Sequence, residues 1–381
     1  MAAPETTAPT PRPSGRFEAL DAWRGVCALS VVLFHLNAGT HGHRWLNNGY
    51  VAVDFFFVLS GFVIASAYQG RIDTIAQATR YAVRRLGRLF PLHVAVLAVY
   101  LLLEVHHALG HPAAGFTGPR SWPAFWMDLF LLHGFGAYQL TWNEPAWSIS
   151  VELWSNMAFA AVALLVRRRL PWVSALIAAA LTLALIHPPP LPLQQVQIDR
   201  LVPAFICVRD FFLGVVGCTL YRRLADTGWC APAWLEVPAL ALSLAVFAFA
   251  PLVNNLLVGV AFFAVVMIFA FETGPISSVL RRPIPQALGT SSYSIYLTHS
   301  LYTLAAFHLV KQAGLALHRP WLLDADGRDL LILGGPWAMD ALALACLAVV
   351  VVSSRLTYRW IEDPARLAIN RWSNRIGRRR A

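Results

Sequence analysis

The chain has 381 residues, 57% of them hydrophobic and only 13% charged, against about 45–50% and about 25% in soluble domains. With a mean hydropathy of +0.56 and several apolar runs near or beyond about 18 residues, an ordinary soluble globule is excluded and an all-α polytopic membrane bundle is indicated. The formal net charge of +10 does not point to nucleic acid: all but one of the 30 basic residues are arginine, set in short clusters between apolar runs, the pattern of topology signals and anionic-lipid contacts.

Residues 1–16, rich in Pro, Thr and Ala, read as a disordered cytoplasmic tail, and no small-residue cleavage site marks them as a signal peptide. Ten spanning helices are expected at 20–38, 49–68, 90–109, 146–166, 171–187, 201–220, 234–252, 254–272, 289–310 and 334–354. An eleventh stretch, Trp122 to Phe135, is too short to cross comfortably. If it does not cross, Arg80/Arg84/Arg85/Arg88, Arg167–Arg169, Arg222/Arg223, Arg281/Arg282 and the segment from Arg355 all share one side. If it crosses, every later cluster moves away from the first. The positive-inside rule selects the former, so 122–135 is read as re-entrant or interfacial and both termini as cytoplasmic. The bundle is expected over 17–366, followed by a basic cytoplasmic tail at 367–381. Outward loops then fall at 37–48, at 110–145, from His187 to Arg200 with three consecutive prolines, and at 311–333 with Asp324, Asp326 and Arg328. Their tryptophans read first as interface anchors.

Several groups resist explanation by apolar packing. The first segment, DAWRGVCALSVVLFHLNAG, carries Arg24 and His35 eleven residues apart, which is three turns plus about 20°. They share one helical face at a separation of about 16 Å, so Arg24 near the inner interface puts His35 at or just outside the midplane. Asp54 lies about 8 Å below the outer end of the second helix and Glu152 about 9 Å below that of the fourth, with Asn156 one turn deeper. Tyr293, Tyr296 and His299 follow at i, i+3 and i+6 in the ninth, and His299 reaches a similar depth. Ionisable groups inside a membrane are costly and so are functional candidates, although isolated interhelical hydrogen bonds would give the same list. Arg209 and Asp210, adjacent in sequence, read as a structural ion pair. In RYAVRRLGRLFP the pairs Arg85/Arg88 and Arg84/Arg88 sit at i, i+3 and i, i+4, which gathers guanidinium forks suited to phosphate on one face. Lipid headgroups would suit them as well. His41-x-His43 and His106-His107 have no carboxylate or thiolate set at matching spacing, so no metal site is expected. The five cysteines are odd in number and lie mostly in apolar segments, which argues against a disulfide framework.

These residues together resemble the membrane-bound acyltransferase-3 family of O-acyltransferases over about 16–366. The resemblance rests on Arg24-x10-His35, VAVDFFFVLSGF around Asp54, RRLGRLFP with Arg85 and Arg88, WSISVELW around Glu152, LGTSSYSIYLTH ending at His299, and WIEDPAR from Trp360 to Arg366. It implies a ten-helix enzyme of the bacterial cytoplasmic membrane that takes an acyl group, acetyl above all, from cytoplasmic acyl-CoA. The acceptor implied is a hydroxyl on an extracytoplasmic carbohydrate. Acyl-CoA enters as co-substrate, with no permanently bound cofactor, no metal and no nucleic acid. The expected catalytic set is His35 as general base with Asp54 or Glu152 orienting it. The expected substrate contacts are Arg24, Arg84, Arg85, Arg88, Tyr296 and His299. A proton-coupled transporter without chemistry of its own would need many of the same intramembrane groups, but no internal repeat is evident.

Overall fold

A computed structural model of the chain describes residues 16–136, 141–186, 198–252, 255–325 and 328–376. Residues 1–15 of the expected 1–16 tail, most of the triple-proline loop at 187–197, Asp326 and the last residues 377–381 lie outside it.

The described chain is all-α apart from one hairpin. Its helices are α1 (Glu18–Leu36), α2 (His43–Leu46), α3 (Ala52–Tyr68), α4 (Ile75–Gly110), α5 (Trp122–Leu129), α6 (Ala146–Val166), α7 (Leu170–Ile186), α8 (Ile198–Asp226), α9 (Glu236–Phe249), α10 (Asn255–Phe269), α11 (Pro275–Leu280), α12 (Pro283–Thr290), α13 (Ser292–Ala316), α14 (Pro336–Thr357) and α15 (Asp363–Ser373). Six continuous helical stretches are long and apolar enough to cross a membrane: Glu18–Leu36, His43–Tyr68, Ile75–Gly110, Ala146–Ile186, Leu201–Asp226 and Pro336–Ser373. Two shorter apolar stretches, Ala233–Phe249 and Leu256–Phe269, accompany them. The chain is therefore an all-α membrane protein.

Helix α1 is the hub, packed against α3, α12, α13 and α14. Its start is fixed by Glu272, which accepts the Ala19 amide at 2.7 Å, an anion where the helix dipole favours one. Two glycines permit its crossing with α12: a Cβ on Gly25 would meet the Gly289 amide nitrogen at 2.7 Å, and one on Gly289 the Asp21 carbonyl at 2.1 Å.

Three elements differ from the sequence reading. The expected helix 90–109 is the second half of α4, a 36-residue helix of about 54 Å, longer than a hydrocarbon core of about 30 Å. It starts fifteen residues earlier because Thr74 and Gln77 form a capping box, which satisfies the first amides reciprocally. The arginines of RRLGR thus share one continuous helix with the apolar stretch that follows, in keeping with the helical face expected for them. The segment expected at 289–310 is divided at Ser291, which separates α12 from α13. In the loop 311–333 a two-stranded hairpin forms, β1 (Leu322–Ala325) with β2 (Arg328–Leu331), antiparallel. Leu331 then bonds the turn after α1: Gly39 N–H donates to Leu331 O, and Leu331 N–H to Asn37 O. The stretch 122–135 yields only the eight-residue α5 and a short turn at His133–Phe135, far too short to span.

Candidate active site

The inner part of the site is built on α4. Arg85 and Arg88 project from one face, and the Arg85 guanidinium lies 3.1 Å from the Glu152 carboxylate of α6. Ser60 of α3 donates to the same carboxylate oxygen at 3.2 Å. One turn along α6, Asn156 caps the Glu152 carbonyl at 2.7 Å and accepts the Tyr81 hydroxyl at 2.7 Å. Glu152 is thereby tied to α3 and α4 at once.

Ser60, Arg85, Arg88 and Glu152 line an interior cavity that also takes in Arg24, Phe56, Ser148, Tyr293 and Tyr296. A second cavity is lined by Tyr68, Arg84, Arg85, Arg88, Arg366 and Asn370. Arg85 and Arg88 belong to both, so the two volumes meet at these guanidiniums. Arg84 faces only the second, with its Nε donating to Ser373 Oγ at 3.0 Å and Nη2 to Asn374 Oδ1 at 2.6 Å.

At the other end of the interior cavity, Tyr296 packs edge-on against Phe56 with ring centres 5.7 Å apart. Its hydroxyl is 2.7 Å from Ser148 Oγ. One turn further along α13, the buried ring of His299 lies 5.8 Å from Tyr296 and 4.8 Å from the ring of His35. His35 is half-buried. Its Nδ1 is 2.9 Å from the Val31 carbonyl, and Nδ1 of His299 is 2.6 Å from the Tyr296 carbonyl. A carbonyl only accepts, so in each neutral ring Nδ1 carries the hydrogen and Nε2 is the basic nitrogen.

Not all the expected residues converge. Arg24, Arg85, Arg88, Glu152 and Tyr296 share the interior cavity, while His35 and His299 form a pair one turn beyond it. Asp54 goes elsewhere: its carboxyl faces that of Asp210, beside Arg209. Arg209 and Asp210 form the expected buried ion pair, 2.7 Å apart. Packing explains the choice. A Cβ on Gly61 would stand 1.8 Å from the Phe211 carbonyl, and one on Gly214 2.0 Å from the Val58 carbonyl. The two glycines let α3 and α8 touch backbone to backbone. Asp54, seven residues before Gly61, lies on that same face and is carried against α8. At Nδ1 of His35 the contact is the Val31 carbonyl, while Glu152 is engaged by Arg85 and Ser60 and Asp54 faces Asp210.

Sequence reasoning missed Ser60, Ser148 and Arg366. The i, i+4 spacing of Ser148 and Glu152 within WSISVELW was a usable signal. Ser60 and Arg366 carried none beyond their place in longer motifs.

The sequence profile of the acyltransferase-3 family, described as an acyltransferase domain, matches residues 17–358. The chain belongs to this family. It is an enzyme that transfers acyl groups. It is 26% identical over 388 residues to the acyltransferase MdmB of Streptomyces mycarofaciens, with 93% of each chain covered. It is 35% identical over 164 residues to protein 2 of the picA locus of Rhizobium radiobacter, covering 39% of this chain and 83% of that protein. It also shares 35% identity over 82 residues with a predicted O-acetyltransferase of Staphylococcus aureus, covering 21% of this chain and 13% of that protein. No solved structure matches.

Proposed function

We propose that this acyltransferase moves an acetyl group from cytoplasmic acyl-CoA to a hydroxyl of an extracytoplasmic carbohydrate, across the bacterial cytoplasmic membrane. In this reading ten helices cross and both termini face the cytoplasm. The observation that carries it is the sharing of Arg85 and Arg88 between an arginine-lined cavity and an interior cavity that ends one helical turn from the His35–His299 pair. Such a path suits a long anionic donor whose reactive end must reach a base deep in the bundle.

Arg85 and Arg88 take the donor phosphates as charge-assisted forks, and Arg24 positions the thioester arm in the interior cavity. Nε2 of His35 accepts the acceptor's hydroxyl proton as that oxygen attacks the thioester carbonyl. The C–S bond breaks, the ester forms, and the proton passes from His35 to the departing CoA thiolate. Glu152 is a positioning residue here, holding Arg85 against α3. Tyr296 lines the donor path and His299 packs the base. Asp54 sets α3 against α8 and takes no part in proton transfer.

The test is the O-acyl content of surface glycans from cells with and without the gene. One ester is expected to disappear and to return with the wild-type chain but not with His35→Ala at equal membrane level. Unchanged glycans, or full restoration by the variant, would refute the reading.

A further inference from the structure

We propose that the cytoplasmic cavity between α3, α4 and α15 holds the 3′-phosphoadenosine end of the donor, and that Arg366 is the residue that reads the 3′-phosphate. This rests on the acyl-CoA reading above and extends it to a second subsite with its own specificity.

Arg366 and Asn370 stand at i, i+4 on α15 and both line the cavity. The helix reaches α4 because Gly87 lacks a side chain: a Cβ there would stand 2.4 Å from Ile369 Cγ2. Arg80 then donates to the Ile376 carbonyl at 2.6 Å, and Arg84 holds Ser373 and Asn374. Two arginines of α4 thus dock α15 by its last turn, and the docked helix turns Arg366 and Asn370 toward Tyr68.

The cavity wall therefore offers four guanidiniums, one aromatic ring and one carboxamide, with no carboxylate among the lining residues. A 3′-phosphoadenosine requires that combination: a planar fork for a phosphate dianion, an aromatic ring to carry the purine, and an amide that both donates and accepts at the base edge. The guanidiniums divide by position. Arg85 and Arg88 lie at the junction with the interior cavity, the place for the central diphosphate of the donor. Arg84 is engaged in docking α15. Arg366 lines only this cavity and comes from α15 rather than α4; it bonds Asp363 within its own helix and remains 39% exposed. It is the guanidinium left to meet the terminal phosphate. An anionic lipid headgroup would present the same phosphate chemistry, so the test must separate the two.

The experiment is calorimetric titration of the purified full-length chain in detergent with CoA and with 3′-dephospho-CoA, which needs no acceptor. The wild type is expected to bind CoA about tenfold tighter or more, the scale of one charged hydrogen-bonded contact. In Arg366→Gln, CoA weakens to the level of 3′-dephospho-CoA while the latter is unchanged. Arg366→Lys, which keeps the charge without the fork, retains part of the preference. Equal weakening of both ligands by Arg366→Gln would assign Arg366 a structural role and overturn the proposal. So would a wild type that binds both alike, or a variant that keeps full discrimination and alters only the response to added phosphatidylglycerol. A wild type that binds neither ligand overturns the donor reading itself, and is thereby distinguished from failure of the subsite.

Discussion

Replacing His35 with Asn separates the two jobs its ring performs. The Asn amide nitrogen occupies the position of Nδ1, so it keeps the hydrogen bond to the Val31 carbonyl, 2.9 Å long in the wild type, while the basic Nε2 is deleted. What folding loses is ring contact with His299 and Phe34, both with centres 4.8 Å away, at about 0.5–1.5 kcal/mol for each aromatic pair. The retained bond preserves about 1 kcal/mol. Stability therefore falls by about 1–3 kcal/mol. Loss of a general base costs about 10²–10⁴-fold in rate, or about 2.7–5.4 kcal/mol of transition-state stabilisation. The assay is transfer of labelled acetyl from acetyl-CoA to endogenous glycan in membrane vesicles, normalised to folded protein by fluorescence-detected chromatography. His35→Ala, which forfeits both functions, should be equally inactive and less stable. A His35→Asn enzyme with a tenth or more of wild-type activity would refute the assignment of Nε2 as the base.

Two further predictions concern the frame. Gly61→Ala forces a methyl within 1.8 Å of the Phe211 carbonyl, and because the clash is with backbone it should cost about 3 kcal/mol, the upper end for overpacking; Gly110→Ala, with open space around it, should change the melting temperature in detergent little, and equal effects of the two would sink the argument. Outside the spans, burial pushes the His133 imidazole down to about 4. The unfolded chain binds a proton near pH 6.5 that the folded chain refuses, so stability is lost as pH falls from about 6.5 towards 4, by up to about 3 kcal/mol. His133→Gln should flatten that fall, measured as the difference in melting temperature between pH 7 and pH 5; an unaltered difference would show that His133 does not cause it.

The bundle was legible because bilayer crossing imposes long apolar runs, and the boundaries of α6 and α7 could be read almost to the residue. Arg24 and His35 were legible together because helical periodicity needs no tertiary knowledge. The start of α4 was not, since the capping box at Thr74 lies before a stretch too polar to resemble a span. The fate of Asp54 was hidden for a different reason. Depth arguments place a residue along one axis only, and Asp54, Glu152 and His35 were level in that coordinate. Which helix Asp54 faces depends on rotation about α3, and Gly61 and Gly214 decide it. Two glycines seven and four residues from the carboxyls were the available signal, but only pairing them across helices would have revealed it. Arg366 escaped because nothing in WIEDPAR says that the helix folds back onto α4; Gly87 supplies that answer from elsewhere in the chain.

The same contacts suggest how the site divides its labour. The turn of α13 that carries His299 is held from two sides. From the α6 side, Asn143 donates to the Leu297 carbonyl at 3.2 Å and accepts the Ser300 hydroxyl at 2.6 Å, while Ser148 meets the Tyr296 hydroxyl. From the α14 side, Glu362 accepts the Ser294 hydroxyl at 2.7 Å and Ser354 lies 3.2 Å from Thr298. Each bond alone is modest, but together they fix a buried turn in both rotation and height, and the His35 ring leans on it. The end that carries the arginines is built otherwise, from long arginine side chains on α4 and the helix α15, docked by side-chain hydrogen bonds beside the close approach of Gly87 and Ile369. On the proposed function, a general base needs fixed geometry for its proton transfer, whereas a donor that enters and leaves each turnover needs a mouth whose side chains can rearrange around it. Rigid hydroxyl and amide contacts surround the histidines, and adaptable guanidiniums line the entrance.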